Sequence, residues 1–309
     1  MTAFKKSLWG LCALLILLLA PALSRAGERL SVVAVNFPCY DLARALTGGL
    51  ADVQMLLPPG SESHSYEPSP RDMIAIQNAD LFVYTGGESD HWIETLLESL
   101  RDEAPAIFRL TDWVTLLDEQ HSQSMETGHE HHHAEMDEHV WTSPKNMMRI
   151  ASAFTQTLTA LQPENAPAYT EALEGYLSKL KELDALFADI VAGGKRDLIV
   201  FGDRFPFRYF AADYGLTYDA AFPGCSEDSE PSVRTVISLV DAIRAQGIPV
   251  VFYIEFSSRR TADILAEETG AKPLLFHSCH NVSAEELAAG ATYLSLMHKN
   301  AQALKEALN

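Results

Sequence analysis

Three observations predict an α/β fold of two lobes, each a mainly parallel sheet flanked by helices, the two joined by one long backbone helix. Short apolar, β-branched runs recur in both halves of the chain, helical stretches alternate with them, and the middle carries a long helical periodicity with no strand-like run. At 309 residues the chain exceeds what one hydrophobic core usually spans.

In the first half the apolar runs are LSVVAVNF (30–37), VQMLLP (53–58) and ADLFVYTGG (79–87). Most residues in them are apolar without alternation, which marks strands covered on both faces. Helical stretches such as YDLARAL, SPRDMIAIQNA and HWIETLLESL fall between and after them. The second half repeats the scheme with DLIVFGD (197–203), VVFYIEF (250–256) and KPLLFHS (272–278). The helix PSVRTVISLVDAIRAQG precedes the middle one, and it ends at Gly247 with Pro249 two residues on, a stop signal. Between the halves, Leu173, Tyr176, Leu177, Leu180, Leu183, Phe187 and Ile190 recur at three- and four-residue steps. That periodicity predicts a linking helix over 163–192, roughly 40 Å long at about 1.5 Å per residue. A coiled-coil dimer competes with it but lacks clean flanking charge pairs. The lobes are then 27–162 and 193–309.

Residues 1–26 read as a signal peptide: Lys5 and Lys6, the apolar run LWGLCALLILLLA, then PALSRA with small residues at Ser24 and Ala26. The run is too short to span a bilayer comfortably, so cleavage is expected and an uncleaved anchor is the alternative. The destination is periplasmic or otherwise extracytoplasmic. The formal charge is −19, and removing 1–26, with three basic residues and no acid, leaves −22. So acidic a surface repels nucleic acid and anionic lipid, which argues against either as a partner. The remaining cysteines, Cys39, Cys225 and Cys279, are odd in number. In an oxidising compartment a Cys225–Cys279 pair is expected, with small buried thiols as the alternative.

Six of the eleven histidines lie between His121 and His139. The tract of about 119–138 has almost no apolar residues and reads as a flexible insertion. Its His121, His129, His131, His132 and His133 are candidates for weak, accessory metal binding. Other candidates stand where strands end, the place at which open α/β sheets bind ligands. His64 follows the second strand, Asp203 closes LIVFGD, Glu255 ends VVFYIE, and His277 and His280 follow PLLF. His139 stands before Trp141, Ser143 and Pro144, where a helix begins. Imidazole and carboxylate are the ligands zinc prefers, but no short metal signature such as HExxH is present.

The stretch LLPPGSESHSYEPSPRDMIAIQNADLFVYTGG resembles the first ligand region of the zinc- and manganese-binding proteins of bacterial ABC importers, the ZnuA-like cluster A-I solute-binding proteins. MDEHVWTSPKNM is similar to their second region, where the ligand is the His before a Trp and a Ser-Pro. FRYFAADYGL with EPSVRTVISLVDAIRAQGIPVVFYIEFSS resembles the third. A His-rich acidic loop ahead of the second ligand is itself a feature of zinc-preferring members. The resemblance covers nearly the whole mature chain and implies His64 and His139 as the first two ligands. At the third position the family has His or Glu, whereas ungapped counting here lands on Arg204, which cannot ligate. The role therefore falls to Asp203, which reads equally as a helix cap. At the fourth the family has an acid, and here FHSCHN offers His277, with His280 and Glu255 as further candidates.

The implied function is capture of extracytoplasmic Zn²⁺ in an interlobe cleft by a monomer and delivery to an ABC permease and its ATPase. Three imidazoles and one carboxylate favour zinc over manganese, the alternative cargo. A zinc hydrolase with Glu255 or Glu67 as base is the enzymatic rival, and it needs an open coordination position. An adhesin and a siderophore or cobalamin carrier are further rivals; the last leaves the His-rich tract unexplained.

Overall fold

The computed structural model describes residues 29–62, 66–100, 103–118, 136–222 and 230–309. Of these, Ser31–Asn309 form one unit holding two four-stranded sheets. The first sheet contains β1 (Leu30–Ala34), β2 (Ala51–Met55), β3 (Leu81–Tyr84) and β4 (Ala106–Arg109), in the order β2-β1-β3-β4. The second contains β5 (Leu198–Phe201), β6 (Thr217–Ala220), β7 (Val250–Tyr253) and β8 (Lys272–Leu275), in the matching order β6-β5-β7-β8. The pairs β1–β3, β3–β4, β5–β6, β5–β7 and β7–β8 run parallel. Both predicted sheets are therefore present.

Burial separates central from edge strands. Every residue of β3 and β5 is buried, as helices on both faces require, while β2, β4, β6 and β8 are half open. Helices α1 (Phe37–Thr47), α2 (Pro70–Gln77) and α3 (His91–Leu100) flank the first sheet's strands in sequence. Each of the first two starts where the sequence signals it: Asn36 caps α1, and Ser69 with Asp72 forms a capping box ahead of α2.

Helix α4 (Pro144–Leu161) leads through a short 3-10 turn into α5 (Ala166–Ala192), the predicted long helix. Its buried residues, Tyr169, Tyr176, Leu180, Leu183 and Phe187, make one stripe, and it packs on α1, α4 and the C-terminal helix α10 (Tyr293–Leu308). Between α5 and α10 run α6 (Arg208–Tyr214), α7 (Val233–Gln246), α8 (Arg260–Thr269) and α9 (Ala284–Ala288). Helix α10 also touches β5, β7 and β8, so α5 is braced from both sheets. Gly202 lets β5 run into α8: a Cβ there would stand 2.5 Å from Ala262 Cα. No helix among the described residues is long and apolar enough to cross a membrane.

Candidate metal centre

In each sheet the chain leaves two adjacent central strands in opposite directions, β1 and β3 in the first and β5 and β7 in the second. Such reversals open a crevice at the carboxyl ends of the strands. A small cleft lies there, lined from the first half by Ser61, Glu62 and His139 and from the second by Arg204, Glu255 and His280 among others. Hydrogen bonds to backbone carbonyls tie the two halves together beside it. Asn281 Nδ2 donates to the carbonyls of Pro58 (2.7 Å) and Ser61 (2.9 Å), and Gly60 N–H donates to Val282 O (2.8 Å).

His139 is buried and held by its own neighbours. Asp137 Oδ1 accepts from the His139 backbone N–H (2.8 Å) and lies 3.1 Å from its Nδ1. A carboxylate on Nδ1 sets the tautomer whose Nε2 lone pair is the ligand form, the usual support behind a metal-bound imidazole. Tyr209 Oη donates to Asp137 O (2.6 Å), which fixes the carboxylate's own backbone. The rings of His139 and His280 lie 5.4 Å apart, nearly perpendicular. Two imidazoles bound tetrahedrally to one zinc, at about 2.0–2.1 Å each, put their rings about 5 Å apart. Trp141, fully buried, packs on both rings at 5.3 and 4.8 Å. Its Nε1 donates to Ser278 O (2.8 Å), and its own carbonyl accepts from Tyr293 Oη (2.8 Å). One indole thus ties the His139 segment to the His280 loop.

That loop turns at Cys279, which adopts the left-handed conformation (φ 62°). The turn sends the Cys279 side chain into the core and sets Ser278 and His280 at the cleft. Glu255 stabilises it, accepting from Ser278 N–H (2.7 Å), Ser278 Oγ (2.5 Å) and His280 N–H (3.3 Å). Its carboxylate is therefore committed to the loop backbone and is poorly suited to act as a general base. Glu67, the other candidate base, is exposed and away from the cleft lining.

His277 does not line the cleft. Its Nδ1 accepts from Cys279 N–H (2.9 Å), and Glu286 Oε1 stands 3.9 Å from its Nε2. Burial opposes its charged form, but the Glu255 and Glu286 carboxylates outweigh burial and raise its pKa. The same contact draws Glu286 down to about 2. Asp203 is likewise turned to structural use. Its Oδ1 accepts from Arg204 N–H (2.9 Å) and its Oδ2 from Ile254 N–H (3.1 Å), clamping the ends of β5 and β7. It caps no helix: the cap residue of α6 is Phe207, which makes no side-chain cap bond. Among the described residues no three His, Cys, Asp or Glu groups converge closely enough to hold a metal.

The cleft instead holds Arg204, paired with Glu62 at 3.3 Å. Both are partly exposed, so the pair contributes about 0–1 kcal/mol. Behind the cleft, Asp90 and Glu138 are both buried. Asp90 Oδ2 accepts from Thr85 and Gly86 N–H (2.9 Å each), and Glu138 accepts from Ser89 N–H (3.0 Å) and from the Ser89 hydroxyl. A Cβ on Gly87 would stand 2.2 Å from Glu138, so only glycine lets that approach form.

The family model for ZnuA, "Zinc-uptake complex component A periplasmic", matches residues 32–307. The chain belongs to the ZnuA family. It is 31% identical over 298 residues to the zinc-binding lipoprotein AdcA of Streptococcus pneumoniae, covering 96% of this chain and 59% of AdcA. The chain thus spans 59% of the length of that relative. It is 30% identical over 285 residues to the high-affinity zinc uptake system protein ZnuA of Bacillus subtilis, covering 91% of this chain and 88% of that one. The Zn(II)-bound ZnuA-like domain of Streptococcus pneumoniae AdcA superposes with a TM-score of 0.76 at 29% identity, covering 91% of this chain and 99% of that domain.

Several site expectations for this ZnuA-family chain lie outside the described residues: His64, the tract histidines His121, His129, His131, His132 and His133, and Cys225. Of the expected Cys225–Cys279 pair, Cys225 lies outside the described residues and Cys279 is a free thiol buried in the core. Cys39 is free and buried as well. Sequence reading passed over Asp137, Glu62 and Trp141's bridging role. Asp137 had a signal, an acid two residues before a proposed ligand; Glu62 had none, since its contact with Arg204 spans 142 positions.

Proposed function

We propose that this chain captures zinc in the cleft and delivers it to an ABC permease and its ATPase, working outside the cytoplasm as a monomer after removal of its signal peptide. His139 and His280 are the ligands this reading rests on, with His64 as a third. Asp203 and His277 support the loops rather than the ion. The observation that carries the reading is the pair of imidazoles 5.4 Å apart with a carboxylate on the Nδ1 of one. Nitrogen donors suit zinc better than manganese, whose sites are rich in oxygen. The names of the relatives, a zinc-binding lipoprotein and a zinc uptake protein, point the same way. A binding protein also needs no general base, and Glu255 is committed to the loop backbone.

Competitive titration of the mature chain against a chromophoric chelator tests the assignment. His139→Ala and His280→Ala should each weaken zinc binding by orders of magnitude. If the double variant binds as the wild type does, the ligands are elsewhere.

A further inference from the structure

Arg204 faces the same cleft as His139 and His280, where a site for a bare cation gains nothing from a second positive charge. A guanidinium stays charged at any physiological pH and repels a divalent ion beside it. Its neighbour Glu62 offsets that charge only through one contact at 3.3 Å, with side chains 24% and 39% exposed. The rest of the local carboxylate is spent: both oxygens of Glu255 accept from the His280 loop, and both of Asp203 from backbone amides. The two imidazoles of the described residues leave zinc short of its usual four donors, and among those residues no third group joins them.

We propose that the cleft takes zinc together with a small oxyanion, a carboxylate or phosphate. One oxygen of the anion binds the metal, and the others lie in the planar fork of Arg204, the side chain best matched to such groups. The anion reverses the sign of the interaction, so that Arg204 attracts the pair although it repels the ion alone. In this structure Glu62 Oε1 touches one arm of the fork, and an exposed single contact of that kind exchanges readily for a bidentate one. The Arg204 backbone is fixed for the purpose, its N–H held by Asp203 Oδ1 at 2.9 Å. The inference rests on zinc capture at His139 and His280 and adds the class of species captured.

The test is isothermal titration of the metal-free mature chain with zinc chloride in three buffers: chloride alone, chloride with acetate, and chloride with inorganic phosphate. Corrected for each anion's own affinity for zinc, one of the two anions should tighten zinc binding about tenfold or more, and that arm identifies the class. Linkage requires zinc to tighten the anion by the same factor, which is measured on the wild type without any substitution. Arg204→Gln should bring the ratio of affinities with and without anion close to one, and Arg204→Lys should reduce it in part. Equal wild-type affinities in all three buffers overturn the proposal, as does an enhancement that survives Arg204→Gln. A wild-type chain that melts normally but binds no zinc tightly in any buffer overturns the zinc reading beneath it.

Discussion

Asp137 contributes no atom to the cleft lining, yet it decides what His139 presents there. It accepts from both the backbone N–H and the ring of the same residue, so removing it frees the imidazole to rotate and to change tautomer. Asp137→Ala should lower zinc affinity about 10–100-fold, the usual effect of losing a ligand's supporting carboxylate. Unchanged affinity in the chelator titration would leave His139 held by packing alone. Asp90 makes a prediction about stability. Burial pushes its carboxyl from 3.8 to about 7, with the Glu138 charge adding to the rise and the Gly86 and Thr85 amides opposing it. The folded chain therefore binds this proton more tightly than the unfolded chain, so stability falls as pH rises from about 4 to about 7. Asn at this position is isosteric, still accepts from both amides and carries no charge to desolvate. Asp90→Asn should raise the melting temperature above pH 7 by several degrees, since the shift corresponds to a few kcal/mol, on the order of 1.4 per unit. Near pH 4 the two chains should melt alike. A gain at pH 4 as large as the gain above pH 7 would trace the effect to something other than this proton.

Strands and helices were legible in proportion to how much of their surface is buried. The runs around β1, β3, β5 and β7 are mostly apolar because helices cover both faces, and each is legible in the sequence. The edge strands β4 (AIFR) and β6 (TYDA) went unread, because four half-exposed residues carry neither a long apolar run nor a clean alternation. Helices α2, α4 and α7 start behind Ser69, Ser143 and Ser232, whose side chains each accept a first-turn amide. The site was legible where one short segment carries its own context, as around His139. It was not legible in FHSCHN, where two histidines stand three apart and only a left-handed Cys279 decides which one faces the cleft. No propensity argument places a cysteine in that conformation; the Glu255 carboxylate beneath the loop imposes it from 24 positions away.

At the scale of the molecule, the two sheets repeat one strand order, and their crevices open into a single cleft. The α5 helix braces both halves, while Trp141, Asn281 and Gly60 bond one half to the other across the cleft rim. An arrangement tied at so many points has little room for wide hinge motion. Ahead of His139 the sequence carries HEHHHAEMDE, and residues 27–309 together have a net charge of −22. Such a tract offers imidazole and carboxylate groups to divalent cations at several points. Deleting residues 121–135 should therefore lower the total zinc bound per chain while leaving one tight site and the zinc-loaded melting temperature unchanged. Metal analysis of the dialysed protein, paired with titration against the chelator, reads both quantities at once. Loss of the tight site along with the extra zinc would make the tract part of the centre rather than a reservoir beside it, and the ligand set of His64, His139 and His280 would have to be redrawn.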